Sequence, residues 1–122
     1  MHISWKALPP SFVETVATFL TSCVIAAGSD IITMGDVASE MFFIARGTVN
    51  VVIISKEGAE IVVAKLNAGD CFGEAALLTN NLRSATIRAQ TNCELFTLTR
   101  NDFDYVLSFS EELRPCTLYT LI

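Results

Sequence analysis

The segment best suited to bind a charged ligand is a glycine followed by helix-forming residues in the second half of the chain. Residues 74–78 read Glu-Ala-Ala-Leu-Leu and follow Gly73 directly, which predicts one helical turn. The first N–H groups of a helix have no partners within it, and they attract anions. Because Gly73 has no side chain, a ligand can approach the backbone closely at this point.

An arginine follows Glu74 after nine residues. Arg83 begins a stretch in which apolar and polar residues alternate, as they do in a half-buried strand. The apolar positions are Ala85, Ile87 and Ala89, and the polar ones are Ser84, Thr86, Arg88 and Gln90. By parity, Arg83 falls on the apolar, inward face. A guanidinium aimed into a barrel suits a phosphate, which it can bind through two parallel hydrogen bonds.

Each of these charged residues also has a purely structural explanation. Glu74 can stabilise a helix N-terminus, and Arg83 can pair with an acid such as Asp70. The combination of both residues with Gly73 at this spacing favours ligand binding over either explanation.

The composition indicates one small domain without a surface for nucleic acid. The chain has 122 residues and a net charge of −5, and its eight basic residues are scattered. A protein that binds a duplex concentrates lysine and arginine on one surface. Hydrophobic residues make up 52% of the chain and charged residues 17%. This apolar excess fits either a compact β core or a surface covered by another domain.

The cysteines and the histidine do not indicate a metal site or a catalytic site. Cys23, Cys71, Cys93 and Cys116 include no C-x-x-C pair, and the single histidine is His2. A zinc site, a cupin-type metal enzyme and a serine triad all require a different set of residues. We therefore expect reduced thiols in a cytosolic domain, with no metal, no cofactor and no enzymatic activity. Neither a secretory signal nor a bilayer-spanning apolar run is present in the sequence.

Regularly spaced glycines predict an all-β core. Four glycines recur every eleven or twelve residues, at Gly35, Gly47, Gly58 and Gly69. Short runs rich in valine, isoleucine and phenylalanine lie between them, at residues 41–45, 48–55 and 60–66. Because Gly58 can adopt positive φ, residues 56–59 are predicted to form a hairpin turn.

Helical patterns flank this core. On the N-terminal side, Pro9 and Pro10 precede residues with helical spacing, which are Phe12, Val13, Val16, Leu20 and Cys23. On the C-terminal side, Thr99 and Asp102 have the form of a capping box. Phe103, Val106 and Leu107 then repeat at helical intervals. A last helix is predicted to restart at Pro115, and the chain ends part-way through its apolar pattern.

The motif at residues 72–78, followed by Arg-Ser-Ala-Thr at residues 83–86, resembles the phosphate-binding cassette of the cyclic-nucleotide-binding domain family. Residues 34–36, 41–44 and 46–47 match earlier strands and turns of that family, and the resemblance covers about residues 7–113. It implies an eight-stranded antiparallel β-roll, jelly-roll-like, with helices at both ends. The predicted organisation is a helical part at 7–30, a β-roll at 31–99 with its cassette at 69–86, and truncated C-terminal helices at 100–122.

The resemblance also implies roles for the cassette residues. Glu74 accepts a hydrogen bond from the ribose 2′-hydroxyl, and Arg83 pairs with an equatorial phosphate oxygen. The N–H groups of residues 73–76 surround the cyclic phosphate. Ser84 stands where many cAMP-selective members have alanine and many cGMP-binding members have threonine, so cAMP is slightly favoured. The full predicted ligand-binding set is Phe72, Gly73, Glu74, Ala75, Ala76, Arg83, Ser84 and Ala85.

The family resemblance further implies a conformational switch. Leu77, Phe103 and Leu107 match the hydrophobic contacts through which cassette movement reaches the following helix. The last helix of the family closes over the base, and Pro115 interrupts that helix here. Residues 37–39 also depart from the family, where many members have a further glycine.

We therefore predict a nucleotide-operated regulatory module. Its partners are a cyclic nucleotide and a host protein, with a tetrameric cation channel carrying the domain on its cytosolic side as the favoured host. A kinase regulatory subunit, an exchange factor and a transcription factor are the other hosts. The alternative function is a degenerate family member that binds no nucleotide and serves as an interaction domain.

Overall fold

The computed structural model describes residues 10–109, which form eight strands and three helices. The helices are α1 (Pro10–Ala17), α2 (Glu74–Thr79) and α3 (Arg100–Phe109). The strands are β1 (Thr21–Ile25), β2 (Asp30–Ile32), β3 (Glu40–Arg46), β4 (Val49–Ile54), β5 (Glu60–Leu66), β6 (Cys71–Phe72), β7 (Thr86–Ala89) and β8 (Cys93–Thr99). In the described part of the chain, no helix is both long and apolar enough to cross a membrane.

The strands form two antiparallel four-stranded sheets. One sheet has the order β1-β8-β3-β6 and the other has the order β2-β7-β4-β5. Except for the β4–β5 hairpin, which lies within the second sheet, consecutive strands of the chain alternate between the sheets, so that the polypeptide rolls up around one interior. The predicted eight-stranded β-roll with flanking helices is confirmed.

The first sheet is apolar on both faces, and this accounts for much of the hydrophobic content. Phe42 and Ile44 of β3 pack between the sheets, whereas Met41 and Phe43 pack against the helices. All four side chains are buried. Since side chains alternate across a strand, a run of four buried residues requires cover on both faces. The helices provide the second cover, mainly through Val16, Phe103 and Val106.

Most of the predicted strands and turns are confirmed. Strands β3, β4 and β5 occupy the three predicted runs. Gly58 has φ +84° in the β4–β5 hairpin, where its N–H donates to the carbonyl of Ser55 at 3.0 Å. The hydroxyl of Thr99 accepts from the N–H of Asp102 at 3.2 Å, as a capping residue does at the start of α3.

The predicted N-terminal helical part at 7–30 is too long. Helix α1 ends at Ala17, and residues 21–25 form β1, so the β-roll begins ten residues before the predicted boundary at 31. Leu20 and Cys23 therefore do not continue the helix. Cys23 lies opposite Leu95 in the antiparallel β1–β8 pair, and this ladder of hydrogen bonds outweighs the helical spacing. The predicted helix restart at Pro115 lies outside the described residues.

Candidate ligand-binding site

A cavity of about 350 Å³ opens between the second sheet and the segment that carries α2. This volume is in the range of small-molecule pockets. All eight residues of the predicted ligand-binding set line it: Phe72, Gly73, Glu74, Ala75, Ala76, Arg83, Ser84 and Ala85. Residues that are up to 13 positions apart in the chain therefore meet at one site.

Gly73 shapes the entrance to α2 and cannot be replaced without strain. It is the N-cap residue, with φ +88° in the left-handed region that disfavours other residues. A Cβ atom at this position would lie 2.9 Å from Nη1 of Arg83. The glycine therefore allows both the sharp turn from β6 into α2 and the close approach of the arginine.

Glu74, the first residue of α2, is buried with an unused acceptor. Its side chain is 1% exposed, and its Oε1 atom has no hydrogen-bond partner. The N-cap position of α2 is occupied by Gly73, and Glu74 lies in the first turn, where a carboxylate also stabilises the positive end of the helix. Burial raises the pKa of Glu74 to about 7. A ligand hydroxyl that donates to Oε1 would satisfy the orphan acceptor and favour the carboxylate.

Arg83 is buried and donates to main-chain carbonyls. Its Nη1 donates to the Gly73 carbonyl at 2.6 Å, and its Nη2 donates to the Glu40 carbonyl at 2.5 Å. The side chain is 7% exposed, and burial lowers the pKa of the guanidinium. These two hydrogen bonds join the Arg83 side chain to main-chain carbonyls and not to Asp70, the acid that the sequence suggested as a partner. Carbonyl oxygens hold the guanidinium in place but carry no charge, so its charge remains available to an anion.

The orientation of Arg83 has a different cause from the one predicted. Strand β7 begins at Thr86, so Arg83 precedes the strand and the parity of the strand does not apply to it. Instead, its N–H donates to the Asp36 carbonyl and its carbonyl accepts from the Gly35 N–H, both at 2.8 Å. This main-chain pairing with the β2–β3 connection turns the side chain inward.

The rest of the cavity wall is apolar and was not predicted as part of the site. These lining residues are Ile32, Val51, Val63, Ala64, Leu66 and Ile87. Alternation along the strands would have been the signal, but the register of β4 and β5 shifts between Val51 and Val52. Such a bulge changes which side chains face inward, and a sequence pattern alone does not locate it. The site thus combines a polar end at Glu74 and Arg83 with an apolar wall.

The predicted switch residues lie beside the site. Leu77 is buried in the same apolar cluster as Phe103, together with Val106 of α3. Helix α2, which we call the cassette helix, and helix α3 therefore belong to one hydrophobic cluster on the outer face of the first sheet. The side chain of Leu107 lies outside the part of the chain that the structure describes.

Comparison with known proteins adds three observations. A family model described as the cyclic nucleotide-binding domain matches residues 23–108. The potassium/sodium hyperpolarization-activated cyclic nucleotide-gated channel 2 of Mus musculus is 39% identical over 98 residues, which are 80% of this chain and 11% of the channel. The chain thus spans about a tenth of the length of the curated relatives it matches.

Two solved structures show the same architecture. The regulatory domain of Toxoplasma gondii PKA, crystallised with cAMP, has a TM-score of 0.77 and 30% identity, over 84% of this chain and 39% of that chain. The regulatory subunit of a cAMP-independent protein kinase A from Trypanosoma brucei has a TM-score of 0.78 and 27% identity, over 92% and 41%. The similarity covers the β-roll and the cassette together.

Proposed function

The chain belongs to the cyclic nucleotide-binding domain family, and from this membership we propose that it binds a cyclic nucleotide monophosphate, with cAMP slightly favoured over cGMP. One observation carries the proposal. Glu74 and Arg83 are the buried charged residues of the described chain, and both line the same cavity. Burying a charged group is costly where its polar atoms lack charge-assisted hydrogen bonds, so a ligand that hydrogen-bonds to both residues has a large effect.

The polar end of the cavity suits a phosphate and a ribose. A guanidinium has five N–H donors, and two of those of Arg83 are used by carbonyls. Its charge and the first N–H groups of α2 together fit a cyclic phosphate anion. The unpartnered Oε1 of Glu74 fits a donor, and in this ligand class the donor is the ribose 2′-hydroxyl.

The apolar wall suits a purine base. Val51 and Val63 contribute aliphatic surface, and Ser84 lies exposed on the same cavity wall. Burial of a planar base against such a wall is favourable because apolar surface leaves water. A serine hydroxyl is a weaker guanine partner than the threonine of many cGMP-binding members, so we propose a modest preference for cAMP.

The proposed role is regulatory. Ligand capture at α2 is passed to α3 through Leu77 and Phe103, and from α3 to a host protein. Such a relay works only through the difference in ligand affinity between two states, which is usually about 1–3 kcal/mol. The similarity to the cyclic nucleotide-gated channel supports a tetrameric cation channel as host, with this domain on the cytosolic side.

A second candidate is a family member that does not respond to cAMP. The Trypanosoma brucei relative is described as cAMP-independent although it shares the fold. In this case the same cavity would serve another nucleoside-like ligand or an interaction with a protein.

Isothermal titration calorimetry of the chain with cAMP, cGMP, 2′-deoxy-cAMP and 5′-AMP tests the proposal. We expect saturable binding of cAMP, several-fold weaker binding of cGMP, and weaker binding of both analogues. 5′-AMP lacks the cyclic phosphate, and 2′-deoxy-cAMP lacks the donor for Glu74. Absence of binding by both cyclic nucleotides would overturn the proposal, and a guanosine titration would then test the second candidate.

A further inference from the structure

Arg100 stands at the junction between the first sheet and α3, outside the ligand cavity. It directly follows β8 and is the first residue of α3, and its N–H donates to the Ser39 carbonyl at 2.9 Å. Its side chain is partly buried and leads away from its own helix. The residue does not belong to the cavity lining, so it makes no contact with the proposed ligand.

The guanidinium of Arg100 holds the far end of the cassette helix. Its Nη1 donates to the Leu77 carbonyl at 3.0 Å and to Oδ1 of Asn80 at 2.8 Å. Its Nη2 donates to the Ala38 carbonyl at 3.2 Å and lies 3.5 Å from the Ala76 carbonyl. One side chain therefore joins the C-terminus of α2, the β2–β3 connection and the start of α3.

These bonds satisfy main-chain carbonyls that have no partner within the short helix α2. The last carbonyls of any helix lack partners within it, and a helix of six residues has few internal bonds. Asn80 ends α2 in the left-handed conformation, with φ 58°. A cation at a helix C-terminus is also favoured by the helix dipole. Arg100 thus supplies hydrogen bonds and charge where α2 ends.

Two kinds of contact connect α2 to α3, and they differ in what they can transmit. The apolar contact of Leu77 with Phe103 and Val106 is non-directional, so its side chains can slide past one another. The planar guanidinium is directional, and it fixes the distance and angle between its partners. A movement of α2 therefore pulls on α3 through Arg100 most directly.

We propose that Arg100 is a positioning residue that makes the cassette helix and the start of α3 move as one unit when a cyclic nucleotide binds. This inference rests on the proposed function, because it concerns how ligand capture is passed on. It assigns the relay a polar component in addition to the apolar contact. Removing this component uncouples α3 from ligand binding while leaving the ligand's own contacts intact.

The test measures α3 movement separately from binding. Spin labels at exposed Asp104 of α3 and exposed Glu57 of the β4–β5 hairpin report the distance between α3 and the sheet. Double electron–electron resonance is recorded with and without saturating cAMP, and calorimetry gives the affinity. Arg100→Met keeps a long side chain without donors. Arg100→Lys keeps the charge without the planar fork. The fold should tolerate this substitution better, because the helix dipole is still compensated.

We expect the unsubstituted chain to show a shift in distance on adding cAMP. In both variants the shift should fall to less than half, while the cAMP dissociation constant stays within about tenfold. The matched control is Arg46→Met, since Arg46 lies at the end of β3 with its side chain 84% exposed. A full shift in both variants overturns the role of Arg100 and leaves the proposed function intact. Absence of cAMP binding by the unsubstituted chain instead overturns the proposed function.

Discussion

Two arginines five residues apart have opposite surroundings. Arg88 lies on the outer face of the second sheet, where its Nε bonds Oδ1 of Asp30 at 2.7 Å. Its two Nη atoms bond the carboxylate of Glu60 at 2.9 and 3.0 Å. These bonds raise the pKa of Arg88 and lower that of Glu60. Arg83 is buried, and burial lowers its pKa while carbonyls serve as its partners.

The same contrast separates the two glutamates. Glu60 is exposed and paired with an arginine, whereas Glu74 is buried, with one oxygen unpartnered and its pKa raised to about 7. The ion pairs of the described residues do not include one between Glu74 and Arg83, although both line one cavity. Charges on the outer face are thus satisfied by the fold itself. Charges in the cavity are positioned by the fold but left for a ligand to satisfy.

The largest expected effect is the loss of affinity when the cavity arginine is removed. Arg83→Ala should weaken cAMP binding by about 2–5 kcal/mol, or roughly 30- to 4,000-fold, because a buried phosphate loses its charged partner. Arg88→Ala is the matched control, since Arg88 is close in sequence but lies on the face of β7 opposite to that of the cavity-lining residue Ile87. Isothermal titration calorimetry of both variants with cAMP measures the difference.

Folding must be checked separately for this comparison. Arg83→Ala leaves the Gly73 and Glu40 carbonyls without their donor, so circular dichroism should accompany each titration. Arg83→Lys keeps a charge without the fork and should bind cAMP with intermediate affinity. Equal affinities of the Arg83 and Arg88 variants would remove the distinction between the two arginines.

The next effect is a pH-dependent gain of stability on neutralising the cavity glutamate. Because the pKa of Glu74 is raised from 4.5 to about 7, the folded chain binds more protons than the unfolded chain between these values. Stability of the empty protein therefore falls as pH rises through this range. Glu74→Gln removes the penalty, so its stability advantage should grow by about 2–3 kcal/mol between pH 5 and pH 8.

Urea unfolding of the unsubstituted chain and Glu74→Gln, at pH 5, 6.5 and 8 under reducing conditions, measures this advantage. Glu60→Gln serves as the control, because the pKa of Glu60 is lowered instead of raised. The contribution of Glu60 is present above its unfolded pKa and is lost as pH falls. If the difference in unfolding free energy between Glu74→Gln and the unsubstituted chain were the same at all three pH values, the raised pKa of Glu74 would be contradicted.

The smallest effect concerns the paired charges of the outer face. Glu60→Gln should lower the unfolding free energy only slightly at pH 7, since exposed ion pairs contribute little and are screened by salt. Thermal unfolding at low and high salt measures this, and the small difference should disappear at high salt. If Glu60→Gln lowered the unfolding free energy by as much as Glu74→Gln is expected to raise it, the assignment of Glu60 and Arg88 as a weak, exposed ion pair would be wrong.

Local patterns predicted the parts of the molecule that depend on neighbouring residues. The run from Glu74 to Leu78 predicted the cassette helix, and all eight predicted ligand residues line the cavity. The turn at Gly58 and the cap at Thr99 were predicted correctly, because both depend on residues within four positions of each other. The helical spacing that extends to Cys23 led to a wrong prediction of the helix end. It continues by chance into β1, a strand whose partner is some seventy residues away.

By itself, the sequence determined the alternation of strands and turns and the chemistry of the proposed ligand-binding residues. These features follow from backbone preferences and side-chain types, which a residue carries into any fold. Only the tertiary structure decided which way Arg83 points, which apolar side chains line the cavity, and that Arg100 reaches α2. These depend on the pairing of Arg83 with Asp36, on the bulge in β5 and on the end of a helix 20 residues earlier. Such contacts join distant segments, and no local pattern encodes their distance or their direction.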